Sequence, residues 1–475
     1  MRVILADLKS NRGFVSKDTV VGGYGSRLDP FSRVTTIMAY MKKQFHDVSS
    51  VHMGYIAAIL ARAGHEVKWT RGGLDDVSSA PGIAGIDVAL VLSSLVDYKN
   101  ETAWADRMRA RGVKVGFIGI TASKMPELFQ DHCDFILNGE PEAGAMRIAR
   151  GEIPSGFVVS EQIDDLDLLP FPRWDLVTEN RGRRLGIKWS SRPVDGSYPL
   201  LASRGCPEFC TYCPHRILAG YRARSIANIA DELERLCDQV HRPYVIFRDP
   251  LFSEQRDRCI ALCDEIQARG LTLTFEAETR LDRLDTELLD KLYTAGFRAM
   301  SFGVEATDAA TLKKSGRRPI PQAHQREIIE HCRKKGIVTA GFYVLGFLQD
   351  DWNSIAATID YATDLGSTFA QFKILTPYPG TPMFKQLEPL LTTSDWEQFD
   401  GFTPTFKHPN LTEAELKFLL GAAYTRFYMR PSYLANFMKI QNSAVRERVQ
   451  RLDRWVSSRH ARIETAGFSR PVVGC

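Results

Sequence analysis

The feature that most constrains this chain is an alternation of strand-length apolar runs with stretches of helical spacing. Between residues 1 and 150 the strand candidates are Val3–Ala6, His65–Trp69, Asp87–Leu95, Val113–Ile120 and Cys133–Leu137. Helical patterns at Val51–Gly64 and Glu101–Arg111 lie between them. A second series starts near Tyr198, with strands expected at Pro199–Ser203, Tyr244–Arg248, Thr272–Ala277, Ala299–Val304, Thr339–Leu345 and Ala370–Leu375. Ile226–Val240, Arg256–Arg269 and Ala323–Lys335 supply helices between these strands. Strands that alternate with helices form parallel sheets covered on both faces. The first series predicts a Rossmann-like domain over 1–150. The second predicts a partial (β/α)6 TIM barrel over 197–384, because a complete eight-unit barrel takes about 250 residues.

Residues 151–196 read as a linker with little regular structure, since Leu169-Pro-Phe-Pro-Arg-Trp174 is punctuated by proline. Residues 385–475 read as a helical region that shapes the substrate pocket. Its aromatic residues Trp396, Phe399, Phe402, Phe406, Tyr424, Phe427 and Tyr428 fit core packing better than a cofactor box. The fold class is α/β throughout the first two domains. The 475 residues carry 61 Lys and Arg against 57 Asp and Glu, a balance that gives no reason to expect nucleic acid. No apolar run approaches the ~18–20 residues of a membrane span. The first residues meet charge too early for a secretory signal, so a cytoplasmic protein is expected. Arginines from Arg446 to Arg462, interleaved with Val445, Val449, Leu452 and Val456, form a basic amphipathic stretch. A solvated face is its favoured reading, with peripheral membrane contact as the alternative.

The nine cysteines carry the chemistry. An odd number without an export signal argues for reduced thiols. Cys206, Cys210 and Cys213 are spaced Cys-x3-Cys-x2-Cys directly after the first strand of the barrel, at the end where barrel chemistry resides. Such thiolates ligate zinc or an iron–sulfur cluster. A structural zinc wants four ligands, and only His215 stands nearby.

Ser203-Arg-Gly-Cys206-Pro-Glu-Phe-Cys210-Thr-Tyr-Cys213 resembles the signature of radical S-adenosylmethionine (SAM) enzymes. The N-terminal sheet pattern followed by Leu169-Pro-Phe-Pro-Arg-Trp-Asp175 is similar to the cobalamin-binding branch of that superfamily. So are Phe247-Arg-Asp-Pro-Leu-Phe252, Glu278-Thr-Arg280, Gly303-Val-Glu305, Gly341–Gly346 and Pro377-Tyr-Pro-Gly-Thr-Pro382. The resemblance implies a [4Fe-4S] cluster on Cys206, Cys210 and Cys213, with SAM on the open iron. It implies Tyr212 against the adenine, Arg280 on the SAM carboxylate, Glu305 on the ribose or amine, and Asp249 on the amine. It also implies a cobalamin on the N-terminal domain, for which Ser93, Ser94, Gly119, Thr121 and Gly139 are the expected contacts.

The Asp-x-His-x-x-Gly signature of a lower cobalt ligand is absent, and His52 reads as part of a helix start. Val21-Gly-Gly-Tyr-Gly25 is too weak for a phosphate cradle and reads as a flexible loop over the corrin or substrate. The activity implied is reductive cleavage of SAM to a 5′-deoxyadenosyl radical, with methylation of an unactivated carbon through methylcobalamin. Cyclisation, rearrangement or oxidation is the alternative outcome, and a cobalamin sensor with a structural metal is the alternative outside enzymes. Methylthiolation is disfavoured, because only Cys133 precedes Cys206. The partners implied are a small-molecule substrate and an electron donor such as flavodoxin or ferredoxin.

Overall fold

Two parallel sheets organise the chain. The computed structural model describes residues 1–10, 12–17, 23–45, 50–72, 85–177, 197–431 and 433. The N-terminal part contains β1 (Arg2–Ala6), β2 (Phe14–Ser16), β3 (Ser26–Leu28), β4 (Glu66–Thr70), β5 (Val88–Leu92), β6 (Lys114–Ile118), β7 (Phe135–Gly139) and β8 (Gly156–Ser160). Six of these form one parallel sheet in the order β4-β1-β5-β6-β7-β8. Its inner strands are apolar runs because both faces are covered; every residue of β5 is buried. Helices Val51–Arg62 and Pro141–Ala149 pack on one face and Tyr98–Arg109 on the other. Gly116 in β6 lets the Phe135 ring lie against the backbone, since a Cβ there would come within 2.1 Å of the ring. Gly116→Ala is therefore expected to cost about 1–3 kcal/mol, the usual penalty of overpacking, as a lower urea midpoint at unchanged slope.

Two parts of this domain depart from the sequence-based expectation. The stretch assigned to a linker supplies the sheet's sixth strand, β8, and its Leu166, Leu169, Trp174 and Val177 are buried in the N-terminal core. The expected strands and helices also pass over an insertion after β1. There β2 and β3 pair as an antiparallel hairpin, followed by a helix at Arg33–Phe45. Phe14, Leu28, Met38 and Ala39 of that insertion belong to the core of the second sheet, not the first.

The second sheet comprises β9 (Tyr198–Leu200), β12 (Tyr244–Phe247), β13 (Thr274–Thr279), β14 (Phe297–Glu305), β15 (Val338–Leu345) and β16 (Phe369–Ile374). Between the first two of these lies a short ladder of β10 (Ser203–Arg204) and β11 (Arg222–Ala223). The sheet order β9-β12-β13-β14-β15-β16 follows the chain, all parallel, as a six-unit partial barrel requires. Six strands leave β16 with an open edge, a template for unwanted pairing. The helix Glu413–Tyr428 covers it. The Tyr424 hydroxyl donates to Phe372 O (2.9 Å) and accepts from Phe372 N (3.3 Å). Tyr428 does the same at Ala370, at 2.7 and 3.1 Å. Two phenols thus satisfy backbone groups that a seventh strand would pair.

The hairpin, the barrel and the C-terminal region are tied together. Tyr24 donates to Pro379 O at 2.5 Å and stacks on Tyr378 with ring centroids 5.5 Å apart. Arg27 donates to Val96 O at 2.6 Å and Glu397 O at 3.1 Å. The loop expected to be flexible is thus a buried strap at Tyr24, while its Val21 and Gly22 lie outside the described residues. So does the basic stretch 445–462. Among the described residues no helix is long and apolar enough to cross a membrane.

Candidate active site

Strand periodicity builds one wall of the site. Alternate residues of a strand share a face, so Ser301, Gly303 and Glu305 of β14 point into the barrel together. They line a cavity of about 220 Å³ with Glu278, Thr279 and Arg280 at the end of β13, Phe342 and Val344 of β15, and Lys373 of β16. The loop after β10 closes the other side with Cys206, Cys210, Tyr212 and Cys213. That loop departs through Gly205 at φ +73°, where a Cβ would come within 2.5 Å of Gly220 O.

All three cysteines are free thiols, Cys210 buried and the other two half-buried. Burial pushes the Cys213 thiol up to about 12 and raises that of Cys206. Groups so reluctant to ionise become thiolates when a metal replaces the proton. Among the described residues, no three His, Cys, Asp or Glu side chains converge on one metal-ion position. A four-iron cluster takes each thiolate on a separate iron, so three cysteines around one cavity suit it better than a single tetrahedral ion. Two buried polar atoms on opposite sides of the cavity lack hydrogen-bond partners among the described residues, the Tyr212 hydroxyl and Arg280 Nη1, the latter 3.8 Å from the Glu208 carboxylate. Arg280 otherwise binds Asp282 in a fork, both contacts at 2.9 Å. The donor set and these orphaned atoms fit a cluster with a polar, charged ligand beside it.

Glu305 is held in the left-handed region at φ +69°, at a register shift between β14 and β15. A non-glycine residue there costs about 1–3 kcal/mol and marks a site that uses the strain. Burial raises its carboxyl, opposed chiefly by the Arg317 guanidinium 3.6 Å away. Arg317 is the residue missed in the sequence. Its Nη1 lies 3.9 Å from Cys210 Sγ, and its Nη2 donates to Gly303 O at 2.5 Å. Gly303 permits this crossing, because a Cβ would sit 2.1 Å from Glu305 Oε1. Only the glycine two residues before the glutamate hinted at such crowding.

Asp249 is placed elsewhere. Its carboxylate accepts from Ser203 Oγ (2.6 Å) and Ala202 N (3.0 Å), and it fastens β12 to the segment entering the cysteine loop. Burial lifts this carboxyl to about 6, although those hydrogen bonds favour its charged form. The folded protein then holds the proton more tightly than the unfolded chain. The stability this gives is full below pH 3.8 and is lost as pH rises through about 6. The unfolding free energy of Asp249→Asn, measured by urea titration against the parent, is expected to gain relative to it across that window and run level outside it.

A second cavity of about 70 Å³ lies between the domains, at the carboxyl ends of the N-terminal strands where such sheets bind ligands. Leu92, Gly119, Ile120 and Glu140 line it from the sheet and Arg204, Gly205 and Arg248 from the barrel, with Gly23 and His52. His215 and Pro250 line both cavities. Of the five residues expected to meet cobalamin, Gly119 reaches this cavity. Ser93 is engaged with Ile118 O (2.7 Å) and Ala122 N (3.0 Å). Ser94 binds Glu101 through its hydroxyl (2.6 Å) and its N–H (2.9 Å), and Glu101 pairs with buried Lys17 at 2.6 Å. Gly139 N donates to Ser123 Oγ at 3.1 Å. Thr121 is fully buried, and its Oγ1 has no hydrogen-bond partner among the described residues.

Residues 200–362 match the family model for the radical SAM superfamily. Those residues form a radical SAM domain. An uncharacterized methyltransferase of Pyrococcus horikoshii is 26% identical over 64% of this chain and 66% of its own length. An anaerobic magnesium-protoporphyrin IX monomethyl ester cyclase of Cereibacter sphaeroides is 30% identical over 48% of this chain and 38% of its own. The chain thus spans about two thirds of the first relative and well under half of the second. Among solved structures, the radical SAM methyltransferase TsrM of Kitasatospora setae, with cobalamin and a [4Fe-4S] cluster bound, has a TM-score of 0.58 at 16% identity. The likeness covers 90% of this chain and 85% of that one, so the chain shares TsrM's fold.

Proposed function

We propose that this chain is a cobalamin-dependent radical SAM enzyme that methylates a carbon of a small-molecule substrate. The observation that carries the reading is the adjacency of two cavities. One gathers Cys206, Cys210, Cys213, Tyr212, Arg280 and Glu305; the other opens at the strand ends of the N-terminal sheet; His215 and Pro250 form their shared wall. When bound, the cluster with SAM supplies a carbon-centred radical and the cobalamin supplies a methyl group.

The chain's own residues position and shield. Cys206, Cys210 and Cys213 hold the cluster. Arg280 and Arg317 offer guanidinium groups to a carboxylate, a planar and charge-assisted contact. Glu305 accepts from a hydroxyl or ammonium. Gly119 borders the inter-domain cavity at the strand ends, where a cobalamin would be presented to the barrel, while Asp249 and the Ser94–Glu101–Lys17 network brace the loops behind. The strap at Tyr24 and the barrel mouth exclude water from the space between.

The cyclase among the relatives, 30% identical over its matched stretch, favours a second reading in which the same radical closes a ring without methyl transfer. Anaerobic reconstitution with iron, sulfide and cobalamin, followed by SAM and reductant, separates the two. With a candidate substrate, equal amounts of 5′-deoxyadenosine and S-adenosylhomocysteine mean methylation. Deoxyadenosine alone means cyclisation or rearrangement. Absence of deoxyadenosine from a four-iron preparation would sink both.

A further inference from the structure

The cysteine loop has an outer face as well as an inner one. Thr211 of the loop is bonded to Ser315 O through its N–H (2.9 Å) and its hydroxyl (3.2 Å). Gly316 lies against Phe209, where a Cβ would come within 2.4 Å of Phe209 O. The segment 313–318 is therefore the outer neighbour of Cys210. From it Lys313, Lys314 and Arg318 are exposed, beside Phe209, which is 67% exposed. Neither lysine has an ion-pair partner within 4 Å among the described residues. The nearby carboxylate of Glu208 is already matched, by Arg318 at 2.9 Å and Arg283 at 3.1 Å. Lysines in the last turn of the helix Ala309–Lys314 would complement its dipole in any protein. An exposed phenylalanine beside two lysines with no ion-pair partner within 4 Å among the described residues, on the outer side of a metal-binding loop, needs more than that.

We propose that this face, Phe209 with Lys313, Lys314 and Arg318, docks a small acidic redox protein that delivers electrons to the cluster. The inference rests on the radical SAM reading above. One electron leaves the carrier, an anionic flavin hydroquinone becoming its neutral semiquinone, and the oxidised cluster is reduced by one. Phe209 gives the contact an apolar centre and the cations give it orientation and speed, a division typical of transient electron-transfer pairs.

The test uses the cluster-loaded full chain with reduced bacterial flavodoxin as the probe and dithionite as a small, non-docking reductant. Lys313→Glu/Lys314→Glu is compared with Arg333→Glu/Lys334→Glu, an equal change of charge on another helix. Affinity is read by calorimetry and cluster reduction by the bleaching of its absorbance. The first variant is expected to lose on the order of tenfold or more in affinity and in flavodoxin-driven reduction at low salt. The gap should close at high salt, where charges are screened. Its reduction by dithionite and the behaviour of the control should match the parent. Equal flavodoxin affinity and rate in both variants would overturn the proposal. So would an equal loss with dithionite, because the lysines would then support the loop rather than a partner. A parent protein that dithionite cannot reduce would instead remove the radical SAM reading, and this inference with it.

Discussion

Replacing Cys210 with alanine is expected to strip the protein of its iron and reduce SAM cleavage to background. Cys210 is the most buried of the three thiols, and the Arg317 guanidinium stands 3.9 Å from its sulfur. Without the thiolate, one iron loses its only protein ligand and Arg317 loses a negative partner inside the cavity. A fall of about a thousandfold or more in 5′-deoxyadenosine formation, some 4 kcal/mol of barrier, is the expected scale. Iron per chain, measured on the reconstituted variant, should fall with it. Cys332→Ala is the matched control. That thiol is also buried, but it lies in the barrel core on the helix Gln322–Lys335, away from the cavity. It should lower stability and leave iron content intact. Iron retained by Cys210→Ala with full SAM cleavage would place the cluster elsewhere.

Arg204→Met should be the most destabilising substitution at the domain boundary. Arg204 belongs to the barrel side and is 5% exposed. Its Nη2 lies 2.7 Å from Glu142 and its Nη1 3.4 Å from Glu140, both on the N-terminal domain, and its guanidinium stacks over Tyr55 at 5.2 Å. Burial alone would raise the Glu142 carboxyl, yet Arg204 and then His52 hold it well below the usual range. Methionine keeps the volume and removes the charge. It leaves Glu142 fully buried with His52 at 3.3 Å as its remaining ion-pair partner, while Glu140 still has Arg222 at 2.5 Å. Breaking a buried pair on one side costs about 3–5 kcal/mol. Urea unfolding should show that loss, and adding Glu142→Gln should recover part of it.

The pH dependence gives an independent check. A carboxyl depressed by folding contributes stability above its unfolded value, here 4.5, and loses it as pH falls through the folded one. Parent and Arg204→Met should therefore differ most above pH 4.5 and converge on acidification. A constant gap would mean that the arginine acts through packing rather than charge.

The sequence was informative wherever a short-range pattern carries the physics. Strands buried on both faces must be apolar, so β1, β5, β6, β7 and β12 stand out as runs. The cysteine spacing and the aromatic Tyr212 lie on one loop, and Glu278, Arg280, Gly303 and Glu305 follow strand parity to the same wall. The strand β8 and the β2–β3 hairpin were not legible. β8 needs only one neighbour, so its Phe157 and Val159 remain exposed and give no clean apolar signal. The three-residue strands β2 and β3 are too short for any periodicity.

The site shows the same division. Small polar residues at strand ends looked like a surface for a bulky ligand. The chain spends Ser93 and Ser94 on its own loops instead, because Glu101, seven residues on and one helical turn in, accepts from both the hydroxyl and the N–H of Ser94. Asp249 likewise answers to Ser203, 46 residues away. Arg317 reaches the cavity only because the loop after the helix Ala309–Lys314 returns to β14.

Local composition and spacing thus determined that this chain makes two parallel α/β domains and that three cysteines crown one of them. Which polar side chains are consumed inside the scaffold, which are left facing the cavities, and how one domain's insertion and charges lock onto the other were decided by the tertiary structure. The reason is physical. Apolar burial is written into each strand residue by residue, whereas the fate of a buried polar group depends on a partner that only folding brings within hydrogen-bond distance.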